Sequence, residues 1–210
     1  MITILLYTQN NADILKSVID RFLSQEWNVV VIDDGSEDNS QEIVKRYLKG
    51  VDLIRFDAPR GFDESMFSAF RHVLRGTGAE CLLSYDIESN NISILERLVA
   101  LYKQHPRNAY LVERVGKISW TIRTLNAIWK FIAKVFKSTD VHDHLTSYML
   151  FRTAFLAKVL PSFHDNEHFS LPKLMLKLGK MNASEYEWIT DDEERKESIS
   201  LALKSFDAFW

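Results

Sequence analysis

An intrachain disulfide is excluded at once, because the 210 residues contain a single cysteine. That residue, Cys81, sits in an apolar run, where a lone thiol acts as a small hydrophobe; a reducing, cytoplasmic setting is the simplest expectation. Proline and glycine are scarce, at four and seven, which leaves no material for a long flexible linker or a low-complexity tract. No stretch reaches the roughly 18 consecutive apolar residues that a membrane-spanning helix needs. The apolar segment Met1-Ile2-Thr3-Ile4-Leu5-Leu6-Tyr7 carries no basic leader and runs straight into Gln9-Asn10-Asn11, unlike a signal peptide. A basic excess is missing too: 26 Lys and Arg face 29 Asp and Glu, a net charge of −3, which argues against a general nucleic-acid binder.

What is present is enough apolar material, 46% of residues, for one sizeable core, so a single domain over 1–210 is expected. Its first part alternates short apolar runs with helical patterns. Strands are expected at Ile2–Tyr7, Val29–Ile32, Leu53–Phe56 and Cys81–Tyr85, with helices at Ile14–Leu23, Gln41–Leu48 and Asp63–Leu74 between them. Such alternation implies βαβ units and a parallel sheet. A further helix follows from the spacing of Ile92, Leu95, Leu98, Val99 and Tyr102, ending near Pro106, and then a strand at Tyr110–Val112. Beyond it, Ile118, Ile122, Leu125, Trp129, Ile132 and Phe136 mark a long amphipathic helix. A strand at Tyr148–Phe151 and helices near Thr153–Leu160 and Leu171–Leu178 come next, and Asp191-Asp192-Glu193-Glu194 suits the first turn of a last helix reaching about Phe206.

In open α/β sheets, ligands bind beyond the carboxyl ends of the strands. Two acidic clusters fall there. Val29–Ile32 empties into Asp33-Asp34-Gly35-Ser36, and Cys81–Tyr85 into Asp86-Ile87-Glu88. Taken alone, the first could equally be a turn ahead of a helix, and the second a capping element. Their common placement favours one cleft. A nucleotide diphosphate would be repelled by bare carboxylates, whereas a Mg or Mn ion between them reverses the sign and neutralises a leaving diphosphate.

Residues Val31 to Ser40 resemble the nucleotide-binding segment of family 2 glycosyltransferases, with Arg60-Gly61-Phe62 similar to that family's glycine turn and Asp86-Ile87-Glu88 to its Asp-x-Asp metal motif. Asp143 through Arg152 and Arg195-Lys196-Glu197-Ser198 are similar to elements of the dolichyl-phosphate mannose synthase and polyprenyl-phosphate sugar transferase branch. The resemblance implies a GT-A fold: a Rossmann-like, mostly parallel sheet flanked by helices, with a helical C-terminal portion. Its nucleotide-binding half would be 1–112 and its acceptor-side half 113–210. The implied function is transfer of a sugar from a UDP- or GDP-sugar, with Mg or Mn, to an acceptor such as a polyprenyl phosphate. Asp34 would contact base or ribose with Asp33 supporting it, and Asp86 and Glu88 would hold metal and diphosphate. Asp143 would lie on the acceptor side as base or orienting carboxylate, and Arg195 near the phosphates. Thr8 and Gln9 stand where the family has Pro-x-Tyr-Asn-Glu, and are expected donor contacts. Glu88 replaces the usual second Asp, and Ser147-Tyr148-Met149 stands for the family's Gly-Phe-Arg core.

Rival readings remain open at this level. One is a catalytically weak nucleotide-binding homologue that serves as a partner or regulatory subunit. Another is a nucleotidyltransferase, disfavoured because no glycine-rich basic loop follows the first strand. His142, His144, His164 and His168, with Asp143, Asp165 and Glu167, could suggest a histidine metal site, but their spacing matches no metal motif. Finally, Arg114, Lys117, Arg123, Lys130, Lys134 and Lys137 occur with no acid from 114 to 137. That helix reads either as a solvated face or as a surface for a membrane or a lipid-phosphate acceptor, which would make the protein peripheral at a membrane.

Overall fold

The computed structural model describes residues 1–47, 49–76, 78–89, 91–114, 120–135, 142–143, 146–160, 170–178 and 186–191. They fall into two compact units, Met1–Asn90 and Asn91–Trp210.

In the first unit, strands β1 (Ile2–Thr8), β2 (Asn28–Asp34), β3 (Val51–Phe56) and β4 (Cys81–Asp86) are joined by helices α1 (Ala12–Ser24), α2 (Ser40–Lys45) and α3 (Phe62–Gly76). Every pairing among the four strands is parallel, as the alternation implies: β1 with β2, β2 with β3, and β1 with β4. β4 is buried along its whole length, and β1 and β2 beyond their first residue. A strand covered on both faces must read as a continuous apolar run, which is how Ile4-Leu5-Leu6, Val29–Ile32 and Cys81-Leu82-Leu83 read. β3 lies at the edge, where Asp52 and Arg55 are tolerated in a partly exposed strand. The helices cover the sheet with apolar stripes at helical spacing, Leu15, Val18, Ile19 and Phe22 on α1, and Met66, Ala69, Phe70 and Val73 on α3. Each large side chain buried this way contributes about 1.5–3 kcal/mol.

In the second unit, β5 (Ala109–Arg114) pairs antiparallel with β6 (Met149–Arg152) and parallel with β7 (Tyr186–Asp191). Helices α4 (Ile92–Gln104), α5 (Trp120–Val135), α6 (Thr153–Val159) and α7 (Leu171–Leu178) complete it. Asn91 caps α4 by accepting a hydrogen bond from the Ile94 N–H at 3.2 Å. Strand β7 departs from expectation, for Asp191 ends a strand and does not open a helix. The aromatic and β-branched residues of Tyr-Glu-Trp-Ile-Thr suit a pleated strand, and that preference prevails over the pull of the following acids toward a helix start. Most of the expected last helix lies outside the described residues.

Candidate active site

The chain steps outward from β1 to β2 to β3 and then returns to the other side of β1 at β4. A crevice opens beyond the carboxyl ends wherever strand order reverses in this way, so the ends of β1 and β4 are the first place to look. Parallel register sets which side chains share a face there. Tyr7 is level with Asp86 and Ile32, while Thr8 is level with Asp33, and Asp33 with Arg55. The adjacent acids Asp33 and Asp34 therefore serve opposite faces of the sheet.

Asp34, fully buried, accepts four hydrogen bonds. The Arg60 N–H donates to Oδ1 at 2.8 Å and the Ser65 hydroxyl to the same oxygen at 2.9 Å. The Gly61 N–H donates to Oδ2 at 2.8 Å and the Tyr7 hydroxyl at 2.9 Å. An ionised carboxylate offers about four acceptor positions, so Asp34 is saturated by β1, the loop after β3 and the first turns of α3. Gly61 adopts φ 90° to present its N–H, a conformation glycine reaches without a Cβ penalty. Gly35 lies against the same loop: a Cβ there would come within 2.7 Å of the Ala58 carbonyl carbon and the Pro59 nitrogen.

Asp33 is equally buried but less engaged. Its Oδ1 accepts from the Ser36 N–H at 3.0 Å. Its Oδ2 has no hydrogen-bond partner among the described residues and faces the Arg55 Nε at 3.9 Å. The Thr8 hydroxyl, one strand over, is likewise buried without a partner among the described residues. Buried polar atoms are nearly always paired, so these two, level with each other at neighbouring strand ends, are candidates for contact with a further partner.

The loops around this row are latched together. The Asn10 N–H donates to Ser36 Oγ at 3.0 Å, the Glu37 N–H to Asn10 Oδ1 at 2.8 Å and the Ala12 N–H to Asp38 Oδ2 at 2.8 Å. The segment after β1 and the segment after β2 thus form one wall, with Gln9 half-buried in it. Asn10 takes φ 57° to make these contacts, a left-handed conformation that Asn tolerates better than most residues.

On the β4 side, Asp86 is the last residue of the strand and Glu88 lies in the short 3-10 turn Ile87–Ser89. The Glu88 N–H donates to Asp86 Oδ1 at 3.1 Å. Burial pushes the Asp86 carboxyl up to about 7, and the charge of Glu88 adds to the rise even though that N–H opposes it. Burial also raises the Tyr7 phenol, helped by Asp34, Asp86 and Glu88, so Tyr7 stays a protonated donor and these three acids lie within electrostatic reach of it. Sequence reasoning missed Tyr7, Arg55 and Ser65; the only available signal was the position of Tyr7 and Arg55 at the ends of apolar strands.

Two carboxylates in this setting fit a hard divalent cation. A cation beside Asp86 would favour the ionised form that burial disfavours, and Mg or Mn accepts oxygen ligands from one or two carboxylates together with substrate phosphates. No group of three or more His, Cys, Asp or Glu that could enclose a metal occurs among the described residues, so a cation held by this pair would draw further oxygen ligands from water or a bound phosphate. His142 contacts Glu113 Oε2 through Nδ1 at 3.0 Å on the surface of the second unit. His144, His164, His168, Asp165 and Glu167 lie outside the described residues, as does Arg195. Asp143 belongs to the second unit and is 1% exposed.

The fold has counterparts among known proteins. Glucosyl-3-phosphoglycerate synthase from Mycobacterium tuberculosis, solved with Mn2+, uridine diphosphate and phosphoglyceric acid, superposes with a TM-score of 0.67 at 12% identity, over 100% of this chain and 77% of that one. The same enzyme with Mn2+, UDP-glucose and glycerol 3-phosphate gives 0.60 at 12% identity, over 100% and 78%. Residues 1–349 of TarS from S. aureus give 0.57 at 18% identity, over 91% of this chain and 58% of that one. The fold is thus the GT-A type, a mixed α/β sheet flanked by helices. Residues 3–160 also match the family described as "Glycosyl transferase family 2", and with three quarters of the sequence inside that match this chain belongs to the family.

Proposed function

We propose that this chain transfers a sugar from a nucleotide-diphosphate donor, a UDP-sugar in the first instance, to an acceptor, with a divalent cation held by Asp86 and Glu88. The observation that carries the reading is the pair of acids at the end of β4, next to the strand-order reversal, with Asp86 poised near neutrality. A bound cation would supply Lewis-acid neutralisation of charge on the departing diphosphate. The residues of the chain do the rest. Asp33, with an open carboxylate oxygen beside Thr8 and Arg55, is the better candidate for the nucleoside contact, because Asp34 is already saturated. Asp34 instead holds Tyr7, the loop before α3 and Ser65 in place, so that the cleft is organised before the donor arrives.

The match to UDP-binding proteins of the same fold supports a uridine donor over a guanosine one. The acceptor is proposed on the resemblance alone: a polyprenyl phosphate, already ionised at neutral pH, would need no strong base, and a hydroxyl acceptor would use Asp143. Arg195 is proposed to close on the donor phosphates.

Calorimetry with UDP and Mn, set beside release of UDP from UDP-glucose with polyprenyl phosphate or hydroxyl acceptors, tests the reading. Binding should need the metal, and Asp86→Asn should lower turnover about 10²-fold or more. Equal UDP affinity in the presence of a chelator would count against the assigned site. Metal-dependent binding with no turnover on any acceptor would point to a non-catalytic family member.

A further inference from the structure

We propose that α5 is a docking surface for an anionic lipid bilayer. The proposal goes beyond sugar transfer and does not depend on it. A helix packed on a globular core needs one apolar face, and α5 has that face in Leu125, Trp129 and Ala133, all buried at a spacing of four residues. It also has a second one. Of the five large hydrophobic side chains exposed among the described residues, four lie on this helix: Trp120 at 80%, Phe131 at 69%, Val135 at 67% and Ile128 at 38%. Single exposed hydrophobes are ordinary, but this concentration on one helix is not scatter, and clustered apolar surface of this kind marks an interaction site. At about 100° per residue the four fall on a single outward strip, on the side of the helix away from Trp129.

The chemistry of the partner follows from what borders that strip. Arg123, Lys130 and Lys134 are all exposed and, at i, i+7 and i+11, form a row along one edge of it. The helix contains no acid at all, so the row is not neutralised within α5 and complements a negatively charged surface. An apolar strip edged by cations and led by an exposed tryptophan suits the boundary between headgroups and acyl chains, where indole rings concentrate and basic side chains reach the phosphates. With 16 residues, α5 is about 24 Å long and would lie in the interface plane. No helix among the described residues is long and apolar enough to cross a membrane, so contact through these residues would be reversible.

The test is co-sedimentation of the whole chain with sucrose-loaded vesicles of phosphatidylcholine alone or with about a third phosphatidylglycerol. Binding is expected to the anionic vesicles and to fade at high salt. The triple variant Arg123→Gln, Lys130→Gln, Lys134→Gln should weaken partitioning on the order of 10²-fold. The double variant Trp120→Ala, Phe131→Ala should weaken it at least about tenfold by loss of buried apolar area. Circular dichroism melts and UDP calorimetry of both variants should match the parent, because these side chains face away from the core; membrane binding and nucleotide binding are thereby scored separately. Failure to sediment with anionic vesicles, or binding indifferent to both sets of substitutions, would overturn the proposal. So would a self-association in vesicle-free solution that the double variant abolishes, since the strip would then be the seat of a second copy of the chain.

Discussion

Asp86 is a carboxyl whose burial opposes its own charge. Its folded-state value of about 7 lies above the roughly 3.9 of an unfolded aspartate. Near pH 4 and below, the group is protonated in the folded state and mostly so in the unfolded chain, and its effect on stability is small. As pH rises from about 4 to 7 the unfolded chain has released a proton that the fold retains, so stability falls across that window. Above it the metal-free protein carries the whole cost of a buried charge, on the order of 4 kcal/mol. Asp86→Asn keeps the oxygen that accepts from Glu88 and removes the charge. In chelator at pH 8 this variant should melt roughly 8–16 °C above the parent, while near pH 4 the two should nearly coincide. A difference of the same size at both pH values would show that burial of the charge is not its origin. The variant should at the same time lose metal-dependent UDP binding, a trade of function for stability common where a site holds unfavourable charge.

At the scale of elements, the cleft is held by one side chain that ties three of them. Asp34, at the end of β2, joins Tyr7 on β1 to Gly61 and Ser65 at the start of α3. Tyr7 also meets Phe62 edge-to-face, with ring centroids 5.1 Å apart, so the polar tie is backed by packing. Tyr7→Phe deletes one of four donors and should cost about 1–2 kcal/mol, whereas Asp34→Ala leaves all four donors unpaired, three of them buried, and should cost about 3 kcal/mol or more. Urea denaturation midpoints would rank the pair, and equal losses would mean that the four contacts do not act on one another's elements. Asp33→Asn gives the contrasting case: with one hydrogen bond to preserve among the described residues, it should leave the midpoint nearly unchanged and weaken UDP binding.

For the molecule as a whole, ligand binding and folding are linked. A ligand bound only by the folded state stabilises it by about 2.7 kcal/mol at a hundred times its dissociation constant. In a chain of 210 residues that corresponds to a rise of roughly 5–10 °C in melting temperature. UDP with Mn should produce this shift, and neither alone should approach it; a shift from UDP in chelator equal to that with metal would separate nucleotide binding from the Asp86 and Glu88 pair.

Much of this protein was legible in its order of residues. Continuous apolar runs such as Val29–Ile32 and Cys81-Leu82-Leu83 could only be strands buried on both faces, and stripes such as Leu15, Val18, Ile19 and Phe22 only one side of a helix. Because pattern sets local structure, the alternation of the two called for a parallel sheet, and because strand ends open onto ligand crevices, it brought Asp33, Asp34, Asp86 and Glu88 forward as candidates. What it could not decide was which acid does what. Asp33 and Asp34 are neighbours in sequence with the same chemistry, yet the pleat sends them to opposite faces, one to four donors and the other to an open oxygen beside Thr8 and Arg55. The register of β1 against both β2 and β4 sets that difference, and register is a property of strands that meet across 25 residues and more. Asp191 misled for the same reason: its local preference for a helix start yielded to the pairing of β7 with β5. Local pattern determined the elements and their polar ends, while burial, charge state and hydrogen-bond saturation at those ends came only from the long-range packing that removed water from them.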